Sequence, residues 1–187
     1  MHTPTHPHQR GASLIEVLVA VLLLSIGLLS MVGLQVNALK LSKEAQFRSA
    51  AADLASSFAE AAKANVSGAL ANGYNYTVAY AAPNGPIAVP TTCRDIVLPC
   101  TAAQIAADDL AAWRESARLS LPGGSLFAVL VPGGPNTPAS IDLWVLWQGP
   151  QSDDIADAAT AQLNNNCPAA IPNANRALQC MPFKISL

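Results

Sequence analysis

Histidine is confined to one end of this chain, and charge is scarce throughout. His2, His6 and His8 are the three histidines, all within the first eight residues. Beyond them the sequence lacks the commonest general base and metal-ligating side chain. Charged residues make up only 12% of the 187 residues, and Lys and Arg form no cluster. Binding to a phosphate backbone depends on such cationic contacts, so no nucleic-acid partner is expected from a chain of net charge −2. No C-x-x-C pair occurs, and without histidine the cysteines make a poor zinc site. Asp153, Asp154 and Asp157, followed by Asn164, Asn165 and Asn166, lack EF-hand spacing and read as a solvated loop, not a calcium site. These absences exclude most routes to catalysis. No enzyme activity, metal or cofactor is expected.

Two further absences shape the N-terminal third. No charged side chain occurs from Val17 to Leu39, and no proline between Pro7 and Pro83. About 20 apolar residues suffice to cross a bilayer as a helix. The run is too long for the apolar core of a conventional signal peptide and has no small-x-small cleavage site behind it. A continuous helix from about Ser13 to Asn65 would extend roughly 80 Å at 1.5 Å per residue. Its first half is apolar all round. Its second half places Phe47, Ala51, Leu54, Phe58 and Ala61 on one face, with Lys43, Arg48, Asp53, Glu60 and Lys63 around the remainder. Gly27 and Gly33 lie within the apolar part, where small residues permit close helix packing. Arg10 precedes the run while Lys40, Lys43 and Arg48 follow it, so the positive-inside rule does not place the N-terminus in the cytoplasm.

One carboxylate, Glu16, stands at the edge of the apolar run, and Gly11 precedes it by five residues. A carboxylate in apolar surroundings costs a few kcal/mol, roughly 2.5 to 3.5 at a helix centre and less near an end. On position alone Glu16 reads equally well as a residue reaching the headgroups or as a charge awaiting a cationic partner. The stretch Gly11-Ala12-Ser13-Leu14-Ile15-Glu16 resembles the leader-peptidase site of type IV prepilins and type II secretion pseudopilins. The resemblance implies cleavage between Gly11 and Ala12, N-methylation of Ala12, and pairing of Glu16 with the Ala12 amine of a neighbouring subunit. The family usually starts its mature chain with Phe, so Ala12 departs from the pattern. Residues 1–11, polar and punctuated by Pro4 and Pro7, then read as a cytoplasmic leader.

The cysteines give a compartment. Cys93, Cys100, Cys167 and Cys180 are even in number and all lie downstream of the apolar run. Four cysteines allow three pairings. Locality favours Cys93–Cys100 and Cys167–Cys180, and disulfides place this part of the chain in the periplasm or outside.

Downstream elements are short. Tyr74 to Tyr80 is rich in β-formers and reads as a short strand. Thr101 opens a helix to about Leu119 with a capping box to Gln104, its buried face drawn from Ile105, Leu110, Trp113 and Ala117. Leu121-Pro122-Gly123-Gly124 stops it. Ser125 to Val131 reads as a buried strand. In Ser140 to Gln148, Ile141, Leu143, Val145 and Trp147 alternate with a second face that is only partly polar and needs a cover. Arg176 to Leu187 is a last strand, with Pro182 marking an edge or bulge. Asn65-Val66-Ser67 and Asn75-Tyr76-Thr77 match the N-glycosylation pattern by chance.

Asp109-Leu110-Ala111-Ala112-Trp113-Arg114, Leu121-Pro122-Gly123-Gly124, a Trp-bearing strand and a late Cys are similar to the PilV group of minor pilins. The expected fold is α+β and pilin-like: a long N-terminal helix, transmembrane then amphipathic, packed on a small antiparallel sheet. The expected parts are a leader (1–11), a transmembrane assembly helix (12–35), its amphipathic continuation (36–66) and a periplasmic domain with two disulfides (67–187). The resemblance implies an inner-membrane subunit that joins the pilus, helps initiate or cap the filament and supports twitching motility. Its partners would be prepilin peptidase and other minor and major pilins. A tip adhesin, a type II secretion pseudopilin and a signal-anchored periplasmic enzyme are the alternatives.

Overall fold

The computed structural model describes residues 13–81, 85–88, 93, 99–149, 167–168, 170–171 and 178–187. Its contacts divide the chain into two compact units between Ser42 and Lys43. Helix α1 runs from Leu14 to Ala64, α2 from Val66 to Leu70 and α3 from Ala102 to Ser120. Strands β1 (Ser125–Val131), β2 (Ser140–Gln148) and β3 (Leu178–Ser186) form one antiparallel sheet in the order β1-β2-β3. This is the expected long helix with a small antiparallel sheet.

In the first unit every described residue is exposed, including Leu18, Leu24, Leu28 and Val32. An apolar helix with no covered face requires lipid or other helices around it. Two hydroxyls within the uncharged run, those of Ser25 and Ser30, are satisfied internally. Ser25 Oγ donates to the Leu22 carbonyl at 2.8 Å, and Ser30 Oγ to that of Ile26 at 3.0 Å. Neither hydroxyl needs water or a protein partner, which suits hydrocarbon surroundings.

In the second unit α1 acquires a buried stripe of Ala51, Leu54, Ala55, Phe58 and Ala62. Phe47 is only partly buried, and the stripe passes through Ala62 where Ala61 was expected. Phe58 lies edge-to-face with both Tyr74 and Trp113, each ring pair 5.7 Å apart. The Trp113 indole N–H donates to the Leu54 carbonyl, joining α3 to the middle of α1. Asn65 ends α1 and caps α2, its side chain accepting from Gly68 N at 3.2 Å and donating to the Ala102 carbonyl at 2.7 Å.

Helix α3 carries the expected capping box between Thr101 and Gln104. Its buried face is Ala106, Trp113 and Ala117; Ile105 is exposed at 36% and Leu110 only partly buried. Close backbone approach decides this. The space beside the Gly73 Cα is occupied by Ala106 Cβ, so only a small α3 residue fits the contact. Gly123 sits at φ +61° in the turn after α3, a conformation that favours glycine.

The sheet buries both faces. Leu126, Ala128, Ile141, Leu143, Val145, Trp147 and Ile185 face the helices. Phe127, Leu146, Leu178 and Cys180 form a second cluster with Ile171, the cover that the apolar second face of β2 required. The expected strand at Tyr74–Tyr80 is reduced to one bridge, Tyr76 to Ala128. The turn chemistry overrides the β-formers. Asn72 adopts φ 64°, and Gly73 N bonds back to Gly68 O at 2.9 Å, so Tyr74 is drawn into the core. Asn75 Oδ1 then accepts the Leu130 N–H at 2.8 Å, standing in for a backbone carbonyl. Arg114 stacks over the Tyr76 ring at 4.4 Å. Strand β3 is an edge strand whose Pro182 lies opposite Trp144, the position its proline required.

Candidate functional site

The N-terminal segment carries the chemistry the sequence singles out. Ser13 O accepts from Glu16 N at 2.9 Å and from Val17 N at 3.3 Å, so helical bonding begins at Ser13. Glu16 therefore lies in the first turn of α1. The free N–H groups of that turn and the helix dipole favour a negative charge there by about 0.3–1 kcal/mol at exposed sites. Sequence reasoning weighed only the cost of this carboxylate. Its helical position offsets part of that cost before any partner arrives. Gly11 and Ala12, the expected cleavage and methylation positions, lie outside the described residues. So do His2, His6 and His8, the Asp153–Asp157 cluster and Asn164–Asn166.

Cys93 and Cys100 are joined in a disulfide with Cα atoms 5.6 Å apart, and Cys167 and Cys180 in another at 5.0 Å. Among the described residues no group of His, Cys, Asp and Glu is arranged to hold a metal ion. The glycosylation-like asparagines are both engaged. Asn65 is buried and capping, and Asn75 bonds Leu130 N and Asn72 Oδ1.

Two polar arrangements went unforeseen in the sequence. The first is buried: Tyr74 Oη donates to Asp109 Oδ2 at 2.6 Å and lies 3.2 Å from the Ala61 carbonyl and 3.5 Å from Asn65 Nδ2. It ties the end of α1 to α3. Burial, reinforced by the bond to Asp109, raises the Tyr74 hydroxyl well above its usual range. The second is at the surface. Glu115 accepts from Arg118 through both carboxylate oxygens, at 2.6 and 2.8 Å, and from Ile87 N at 2.8 Å. The Arg118 bonds, followed by the Ile87 N–H, pull the Glu115 carboxyl down to about 2. A Glu-x-x-Arg spacing on a helix was the available signal for this pair; nothing local pointed to Ile87.

Family comparison agrees with this arrangement. A family model described as type IV pilin Tt1218 matches residues 33–111, and one described as the prokaryotic N-terminal methylation motif matches residues 6–32. Both matches support a type IV pilin. The two matches abut at Val32 and Gly33, so they run without a gap from residue 6 to the middle of α3. No curated protein and no solved structure matches the chain. The matched pilin family is one of structural subunits. The methylation motif implies prepilin peptidase and other pilins as partners, and the motif with its exposed apolar helix fits membrane anchoring and incorporation in a pilus.

Proposed function

We propose that this pilin is a minor subunit of the PilV type that initiates or caps the pilus and acts without catalysis, supporting pilus biogenesis and twitching motility. Prepilin peptidase removes residues 1–11, and Ala12 becomes the N-methylated mature terminus. Residues 12–35 hold the subunit in the inner membrane, 36–66 continue the helix, and 67–187 form a periplasmic domain. The Cys93–Cys100 and Cys167–Cys180 disulfides are in keeping with that oxidising compartment. On leaving the bilayer the apolar helix exchanges lipid for neighbouring pilin helices. Glu16 there meets the Ala12 amine of another subunit and fixes axial register, because an unpaired buried charge costs several kcal/mol.

The observation that carries this reading is the N-terminal methylation motif running into a helix whose every described residue to Ser42 is exposed. Mass spectrometry of membrane-extracted protein tests it, with and without Gly11→Ala. The expected result is a terminus at Ala12 in the native chain and a retained leader in the variant. A terminus elsewhere, or unchanged processing of Gly11→Ala, overturns the reading. Glu16→Ala is expected to leave membrane insertion intact and cut recovery in sheared pili at least tenfold, read by immunoblot.

A further inference from the structure

Helix α3 presents two carboxylates, Asp108 and Glu115, seven residues apart. That spacing is close to two helical turns, so both lie on one face, separated by about 10 Å along the axis. Each accepts a backbone N–H from the chain that precedes α3. Glu115 Oε2 takes Ile87 N at 2.8 Å, and Asp108 Oδ2 takes Cys93 N at 3.1 Å. Later positions on α3 thus hold earlier positions of the preceding chain. Glu115 is itself held in place by both bonds to Arg118. Asp108 touches the backbone of a disulfide cysteine directly. The partner cysteine, Cys100, is adjacent to Thr101, the N-cap of α3. Both ends of the disulfide are therefore referenced to one helix, Cys100 through the cap and Cys93 through Asp108.

We propose that Asp108 and Glu115 form a clamp that seats Cys93 against α3 and is thermodynamically coupled to the Cys93–Cys100 disulfide, so that the two close and open together. Oxidation removes one hydrogen from each thiol and forms the S–S bond. The two electrons and two protons pass to an external disulfide, which leaves as two thiols. The clamp favours this step by holding the thiols near each other before the bond exists. By linkage the disulfide must favour the clamp by the same factor. Charge-assisted hydrogen bonds are the stronger kind, so each carboxylate is expected to change the thiol–disulfide equilibrium by roughly three- to tenfold. The Cys167–Cys180 bond joins β3 within the second hydrophobic cluster, which contains no residue of α3, and serves as the internal control.

The test uses the full chain in detergent micelles, equilibrated at pH 7 with mixtures of reduced and oxidised glutathione. Differential alkylation and peptide mass spectrometry report each cysteine pair separately. In Glu115→Gln and Asp108→Asn the Cys93–Cys100 equilibrium is expected to move about three- to tenfold toward thiols, with Cys167–Cys180 unmoved. An unchanged equilibrium in both variants overturns the coupling, and so does an equal shift in both disulfides, which would mark general loosening of the fold. Should either variant fail to fold, amide hydrogen exchange on the Cys93→Ser/Cys100→Ser chain supplies the reciprocal measurement. There the Ile87 amide is expected to exchange at least threefold faster while amides of β2 keep their protection. Unchanged exchange at Ile87 defeats the proposal.

Discussion

Residues 14–42 and 43–64 belong to one continuous helix, yet they solve opposite problems. The first stretch is apolar on every side and has no covered residue; the second is mixed in composition and buries a stripe from Ala51 to Ala62. Hydrogen bonding within the backbone is the same in both, so the difference lies wholly in what each surface requires. The first stretch obtains no stability from its own chain and depends on lipid or on other helices. The second is fixed by Trp113, Tyr74 and the sheet. The proposed assembly role needs both properties in one helix: a part that can change its surroundings, and a part that cannot.

The comparison breaks most readily at Trp113. Its ring packs against Phe58 and its indole N–H bonds the Leu54 carbonyl, so truncation removes packing and a buried hydrogen bond together. Trp113→Ala is expected to destabilise the second unit by about 3–5 kcal/mol. Chemical denaturation of the full chain in micelles, followed by Trp fluorescence of Trp144 and Trp147, measures it. A loss below about 1 kcal/mol would mean the α1–α3 contact carries little of the core.

The converse substitution is Leu28→Arg, in the middle of the exposed apolar stretch. Its insertion free energy is expected to rise by about 2.5–3.5 kcal/mol, read in a translocon insertion assay. The denaturation midpoint of the second unit should not move, because Leu28 is exposed and belongs to neither hydrophobic cluster among the described residues. A shifted midpoint would show that the two stretches share stability and that the contrast between them is false.

How far each stretch can be read from sequence follows the same division. An uncharged run from Val17 to Leu39 has one physical meaning, and α1, β1 and β2 lie within a residue of where periodicity puts them. The face of α3 was harder. Periodicity placed Ile105 inward, but contact with Gly73 demanded a small residue and turned Ala106 there instead. The strand at Tyr74–Tyr80 was lost to Asn72 and Gly73, whose turn sends Tyr74 to a partner 35 residues away. The Ile87–Glu115 and Cys93–Asp108 bonds are contacts between distant positions involving ordinary surface residue types. Nothing in the local pattern distinguishes such residues from solvated ones.

Tyr74 supplies a finer test of the second stretch, since its hydroxyl joins α1 to α3. Tyr74→Phe keeps the edge-to-face packing but leaves Asp109 without its donor, at an expected loss of about 1–2 kcal/mol. The pH dependence gives a sharper signature. The folded state holds this hydroxyl protonated above its usual value of 10.0, whereas the unfolded chain releases the proton there. Its stabilising contribution is thus complete below pH 10 and declines as pH rises beyond it. Tyr74→Phe should flatten the alkaline limb of the stability curve. An equally steep limb in the variant would assign that limb to other groups.

The smallest expected effect concerns Glu115, on the outer side of the same helix. Its carboxyl sits at about 2 in the folded chain against an ordinary 4.5, because Arg118 and the Ile87 N–H both favour the ionised form. A depressed carboxylate contributes stability that is present above its unfolded value and lost as pH falls through its folded value. The window for this group therefore runs from about pH 4.5 down to about 2. Glu115→Gln cannot ionise, so its denaturation midpoints at pH 5, 4, 3 and 2 should fall less steeply than those of the native chain. The group is screened by solvent, which keeps the change modest and salt-sensitive. If the acid slopes coincide, Ile87 is held by something other than this carboxylate, and the outer face of α3 contributes nothing to the fixed half of the molecule.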